Sequence, residues 1–295
     1  RGEDLRPWFW EDEERWLIFT RRGINIEAYP VVKEFLTPFR KQLEPRPTDW
    51  DRTQPWSGRK PGAYEWYEIQ DTIDYYRAFA TPKIFWPDIA KSPRFVWDDA
   101  DTYASNTAYF VSDATPYLLG ILASRTTWFG ITNLSQPFGE RIGANRYRLF
   151  AQFMSCLPIP DAPTADRDAI AALALAITEQ ARARYTLHRQ THHRILTDLG
   201  QPGAALNQKL TAWWELDFPG FMVEVRKAFK REIPLRQRDD WEGWLAARRA
   251  EHAQRTTEIV RLETQLNARV YTLFDLALAE IKIIEESTKY RYGEV

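Results

Sequence analysis

The sequence predicts an α+β protein, with a mixed α/β domain over residues 1–160 and an all-α antiparallel helical bundle over residues 161–295. Three observations lead there. Nine of the thirteen Trp, and most of the Pro, lie in the first 160 residues among short apolar runs separated by turn signals. Beyond residue 160 apolar residues recur at helical spacing over long stretches. Between the two, Leu157-Pro158-Ile159-Pro160 and then Pro163 interrupt regular structure.

In the first part, residues 16–19 (WLIF), 83–86 (KIFW), 95–97 (FVW) and 108–111 (AYFV) have strand length and β-branched or aromatic content. Tyr29, Val32, Phe35, Leu36, Phe39 and Leu43 follow a helical spacing, which Pro38 kinks or divides. A second helix is expected after Pro116, through Tyr117, Leu118, Ile121 and Leu122, with proline in its first turn. Thr164 is the expected cap of a long helix bearing Ile170, Leu173, Ile177, Ala181, His188, Ile195 and Leu199 on one face and ended by Gly200 and Pro202. A second long pattern runs through Trp241, Trp244, Leu245, Ile259, Leu262, Leu266, Val270 and Leu273, with shorter helices around Trp213 and over 218–229 between the two.

The formal net charge is −1, and the two parts are equally balanced, so global charge gives no support to nucleic-acid binding. Any such contact must come from the local acid-free basic stretches at 15–22, 52–60 and 141–148. The single cysteine, Cys156, rules out an internal disulfide and sits in an apolar run as a small buried filler would. No run has the length of a membrane-spanning helix, the N-terminus does not read as a signal peptide, and the abrupt start at Arg1 suggests a fragment of a cytoplasmic protein.

Residues 58–70 (GRKPGAYEWYEIQ), 82–89 (PKIFWPDI) and 153–160 (FMSCLPIP) resemble the specificity region of bacterial adenine DNA methyltransferases, the TaqI-like target-recognition domains also found in type IIG restriction-modification enzymes. Residues 216–245 and 266–276 look like the C-terminal helical region of the same enzymes, with Leu276-Ala277-Leu278-Ala279-Glu280 replacing their more usual Leu-Thr-Pro-Glu-Glu. The resemblance implies a target-recognition domain on duplex DNA, followed by a helical spacer. Neither the Asn-Pro-Pro-aromatic motif that holds a flipped adenine nor the Gly-rich loop for the methyl donor occurs in the sequence. It therefore implies that S-adenosylmethionine and the methyl transfer belong to a methyltransferase domain absent from this chain. Its partners would be double-stranded DNA, that missing domain and other restriction or phage-defence subunits.

Recognition of a duplex needs cations on phosphates and planar donors on base edges. Arg59 and Lys60 precede Pro61-Gly62, a turn able to raise them, and Tyr64, Trp66 and Tyr67 follow as rigid aromatic bodies; core aromatics beside a solvated arginine are the alternative. In residues 139–150 (GERIGANRYRLF), Arg141 lies between Gly139 and Gly143, and strand alternation puts Arg146 and Arg148 on one side with Tyr147 on the other. Surface arginines answering Glu140 are the alternative there. Arg21 and Arg22, ahead of Gly23, form a third group. The reading expects these groups to converge on one positive saddle.

His188 and His192 share a helical face at a spacing that zinc sites use, but no glutamate base or cysteine accompanies them, and histidines facing the bundle or solvent are favoured. Pro87-Asp88 and Glu280-Ile281-Lys282 are the only fragments resembling a nuclease motif, and they lie nearly 200 residues apart. A protein-interaction module docking a partner subunit remains the second functional reading, because Trp and Tyr also suit protein interfaces.

Overall fold

The computed structural model describes residues 1–11, 14–51, 53–141 and 144–293, with the side chains of Glu140, Arg141 and Ala144 outside that description. The chain is mixed α+β and forms two compact units. One comprises Asp12–Thr81 with Ala100–Tyr103, and the other Arg1–Glu11, Pro82–Asp99 and Ala104–Val295. The expected domain boundary near residue 160 marks a change of secondary structure, not a division between these units.

The first of these units has little regular structure. Helix α1 spans Pro30–Leu36 and α2 spans Arg40–Leu43, joined by a 3-10 turn over Thr37–Phe39. Pro38 divides the expected helix because it has no N–H to continue the ladder. Along that spacing Tyr29, Phe35 and Phe39 are exposed, while Val32, Leu36 and Leu43 are partly buried. Residues 16–19 do not form the expected strand; they run as irregular backbone with Trp16 96% exposed and no ladder partner among the described residues. The unit's buried side chains are few, among them Ile26, Tyr64, Trp66 and Phe79, with Phe79 against Tyr103 at 4.6 Å between ring centroids. Buried Glu68 ties the loops, accepting from the main-chain N–H of Gly23 (2.5 Å) and of Glu65 (2.9 Å).

In the larger unit, strands β1 (Lys83–Pro87), β3 (Val96–Asp98) and β4 (Ala108–Ser112) form an antiparallel sheet in the order β3-β1-β4. The central strand β1 is buried throughout, which its apolar run Ile84-Phe85-Trp86 allows. Its one charge, Lys83, is 0% exposed and faces Asp98 across the ladder at 2.7 Å. A second sheet has the order β2-β6-β5, from β2 (Ile89–Ala90), β5 (Pro137–Arg141) and β6 (Ala144–Arg148). Helix α3 (Pro116–Leu122) starts as expected at a proline, with Thr115 capping Leu118 N–H, and α4 (Arg125–Leu134) starts at Ser124, which caps Thr127. A short α5 covers Ala151–Met154.

Helices α6 (Thr164–Leu199) and α9 (Arg238–Leu273) run 36 residues each, about 54 Å at 1.5 Å per residue. They are antiparallel, since Asp166 lies by Arg269 and Arg184 by Thr256. Thr164 falls inside α6 and makes no cap bond; Pro163 takes the cap position. Helices α7 (Gln208–Thr211) and α8 (Phe218–Phe229) connect them, and α10 (Leu278–Ser287) follows. At the altered 276–280 segment, Ala277 has no capping side chain, and Glu280 Oε2 accepts from its N–H at 2.8 Å instead.

The core explains why residue 160 is no boundary. Ile84, Trp86, Phe95, Leu119, Ile121 and Leu149 pack in one cluster with Ile170, Ile177, Ile259 and Leu266, so the sheets and one end of the long helix pair share a core. Gly120 permits that contact: a Cβ there would lie 2.5 Å from Ile170 Cγ2. A second cluster, with Leu187, Ile195, Trp213, Phe221, Trp241 and Leu245, fills the other end. Cys156 differs from expectation: it lies in the turn after α5 and is exposed, with Sγ 3.4 Å from the Gln152 carbonyl.

Candidate nucleic-acid interface

The β5–β6 hairpin brings together the side chains that best suit a polyanion. Antiparallel register pairs Pro137 with Tyr147 and Arg141 with Ala144, and the ladder is irregular between Pro137 and Glu140, where Gly139 takes φ +71°. Alternation sends Tyr147 inward, edge-on to Trp128 at 5.9 Å, and Arg146 and Arg148 to the opposite face. Both guanidiniums lie over the exposed ring of Phe138, Arg148 at 3.9 Å and Arg146 at 5.4 Å from its centroid. Arg148 is also 5.2 Å from the Phe150 ring.

Among the described residues few of their donors are engaged. Arg148 Nη1 stands 3.7 Å from Asp88 Oδ2, a long ion pair on a side chain one-third exposed. Arg146 Nε and Asp88 Oδ1 are buried and have no hydrogen-bond partner among the described residues. Among the described residues neither arginine donates a hydrogen bond. A guanidinium held over a ring loses little entropy when its fork engages a ligand, so the pair suits phosphate oxygens or the O6/N7 edge of guanine. Arg141 ends β5, and its side chain lies outside the described residues.

The other expected residues belong to the smaller unit and are mostly engaged in its folding. Arg59 donates to four main-chain carbonyls, those of Leu43 (2.6 Å), Glu68 (2.6 Å), Trp66 (3.0 Å) and Glu65 (3.3 Å), and covers the Tyr64 ring at 4.6 Å. Tyr64 is buried and its hydroxyl donates to the Lys60 carbonyl. Lys60 is exposed beside Asp71 at 3.4 Å. Arg22 donates to the Gln70 carbonyl at 2.8 Å, its buried Nε has no partner among the described residues, and Arg21 lies over the Tyr76 ring at 5.4 Å. Arg77 and Arg21 together lower the Tyr76 phenol below its usual value. Arg21 and Arg22 line a small cavity that Asp71 and Asp74 also line, which offsets its positive field. Arg52, in the second basic stretch, lies outside the described residues.

The histidines of α6 are structural. His188 Nε2 meets His252 Nδ1 at 2.9 Å, and both rings stack on Trp214, at 4.3 and 4.7 Å. Burial, then the neighbouring His252, Arg184 and His192, pushes His188 down to about 3, and burial with Arg184 pushes His252 down to about 4. His192 Nε2 donates to the Thr211 carbonyl at 2.8 Å. Among the described residues no group of three or more His, Cys, Asp or Glu is placed to hold a metal.

Residues 163–270 match a family described as a domain of unknown function, DUF8810. The DUF8810 match covers α6, α7, α8 and most of α9, hence the histidine cluster and the far core, and leaves the arginine hairpin and the smaller unit outside it. Sequence reading overlooked Phe138 and Asp88 as the supports of the hairpin arginines, and His252 as the partner of His188. The hairpin pairing carries the signal for Phe138: it lies near Tyr147 in register, so its ring can fall between arginines at 146 and 148.

Proposed function

We propose that this chain is the DNA-recognition region of an adenine-specific DNA methyltransferase or combined restriction-modification enzyme, with the catalytic domain elsewhere. The observation that carries this reading is the pair Arg146 and Arg148 over the Phe138 ring, whose guanidiniums donate no hydrogen bond among the described residues and make one long ion pair, to Asp88. In this reading the hairpin lies against the duplex, its arginines on phosphate or guanine, and S-adenosylmethionine serves the missing domain, which flips and methylates adenine. Such a protein works in the bacterial cytoplasm, and no helix among the described residues is long and apolar enough to cross a membrane. The engagement of Arg59 in its own loop moves the weight of the proposal to Arg146 and Arg148.

Titration of a labelled duplex at several ionic strengths tests it. Affinity should be measurable at low salt, with log K falling linearly with log salt; absence of duplex affinity at low salt rejects it. The second reading, a module docking a partner subunit of a phage-defence complex, is favoured by the exposed apolar residues Trp16, Val31, Phe35 and Phe39. It predicts the negative outcome of that titration.

A further inference from the structure

Near the middle of the α6–α9 pair, residues 290–293 (Tyr-Arg-Tyr-Gly) lie on three charged side chains that are almost fully buried, Arg125 (6% exposed), Arg184 (2%) and Glu263 (8%). These grip the segment largely by its main chain. Gly293 N–H donates to Glu263 Oε2 at 2.6 Å, its carbonyl accepts from Arg184 Nη2 at 2.9 Å, and the Tyr290 carbonyl accepts from Arg125 Nη2 at 3.2 Å. The other Glu263 oxygen accepts from Trp8 Nε1 at 2.7 Å, and Arg184 Nη1 donates to Thr256 at 2.7 Å, so each charge is held in place by the body.

The side chains of the segment are read as well. Arg125 lies over the Tyr292 ring at 3.7 Å and the Tyr290 ring at 5.3 Å. The Tyr292 hydroxyl donates to Glu285 at 2.8 Å; Glu285 also accepts from Tyr271 at 2.6 Å and pairs with Arg125. Tyr290 meets Trp128 edge-on at 6.4 Å. Gly293 has φ +72°, and a Cβ there would stand 2.8 Å from Val260 Cγ2, so the position admits glycine. Arg291 between the tyrosines is exposed.

We propose that this slot is a peptide-binding site selective for a Tyr-x-Tyr-Gly segment, filled in cis by residues 290–293, which act as a separable ligand of the helical region. The physical reason is that an empty slot would strip Arg125, Arg184 and Glu263 of those hydrogen-bond partners, which a segment of the same chemistry restores. Burial already raises the Glu263 carboxyl above its usual range and lowers Arg184 to about 10, as expected of charges held away from water. The inference does not depend on DNA binding.

The test uses the full chain with a protease recognition sequence inserted between Thr288 and Lys289, cut after folding. A fluorescein-labelled peptide with the sequence of residues 289–295 is then titrated by anisotropy. The released fragment should stay with the body on gel filtration, and the labelled peptide should exchange with it saturably. Peptides carrying Gly293→Ala or Tyr292→Ala should bind at least about tenfold more weakly, the factor for 1.4 kcal/mol. Failure of the peptide to bind, or equal binding of a scrambled peptide, overturns the proposal. So does a cut protein that unfolds and is not restored by the peptide.

Discussion

Acidification should unfold the helical region through its histidine pair, and the size of the effect follows from the geometry. His188 and His252 share a 2.9 Å hydrogen bond under Trp214, and their pKa values are depressed to about 3 and about 4 from 6.5. In the unfolded chain both imidazoles take protons as pH falls through 6.5, while in the folded chain both stay neutral until far lower. Stability from these groups is therefore complete above pH 6.5 and is lost on descent toward 4. By pH 4.5 each has lost about two pH units at about 1.4 kcal/mol per unit, which gives about 5 kcal/mol for the pair. The comparison protein is His188→Gln/His252→Asn, which keeps a neutral hydrogen-bonded pair without a titratable proton. Urea unfolding followed by tryptophan fluorescence at pH 7, 6, 5 and 4.5 gives the slope. Around pH 5, where the unfolded imidazoles are nearly all protonated and the folded ones nearly all neutral, the native protein should lose up to about 2.7 kcal/mol per pH unit more than the variant, two protons' worth. Other groups titrate in both proteins and cancel. Equal slopes would refute the assignment of the pair as buried and neutral.

Other expectations concern binding and packing. The double substitution Arg146→Gln/Arg148→Gln should reduce the slope of log K against log salt by about 1.8, at about 0.9 per phosphate contact, in the duplex titration. Arg59→Gln should leave that slope unchanged and speed amide exchange over residues 43–68, because four main-chain carbonyls lose their donor. Trp213→Ala, at a side chain that is 0% exposed, should cost about 3–5 kcal/mol in thermal or urea unfolding. Cys156 should react with a thiol reagent in the native state as readily as in urea, since it is exposed.

Much of the fold was legible because local rules and burial agreed. The apolar run at 83–86 can only be a buried strand, proline at 116 and Thr115 start a helix, and the 3.6-residue spacing from Ile170 to Leu199 gives α6. The failures occur where composition and burial disagree. Residues 16–19 have strand composition but pair with no strand among the described residues, and Phe35 and Phe39 of the apolar spacing stay exposed. At the candidate site, alternation correctly put Arg146 and Arg148 on one face. The loop aromatics around Arg59 gave no hint that its guanidinium would close four carbonyls, because those acceptors come from residues 43 and 65–68.

The sequence by itself determined the order of elements, the mixed class and the placement of paired arginines on one side of a strand, because these depend on periodicities of two and 3.6 residues and on proline and cap chemistry. Only the tertiary structure decided that the sheets share a core with the long helices, that His188 meets His252, and that Arg125, Arg184 and Glu263 close on residues 290–293. Those pairings join residues up to 165 positions apart. They depend on burial, which makes an unpaired charge or imidazole costly and selects the one partner within reach.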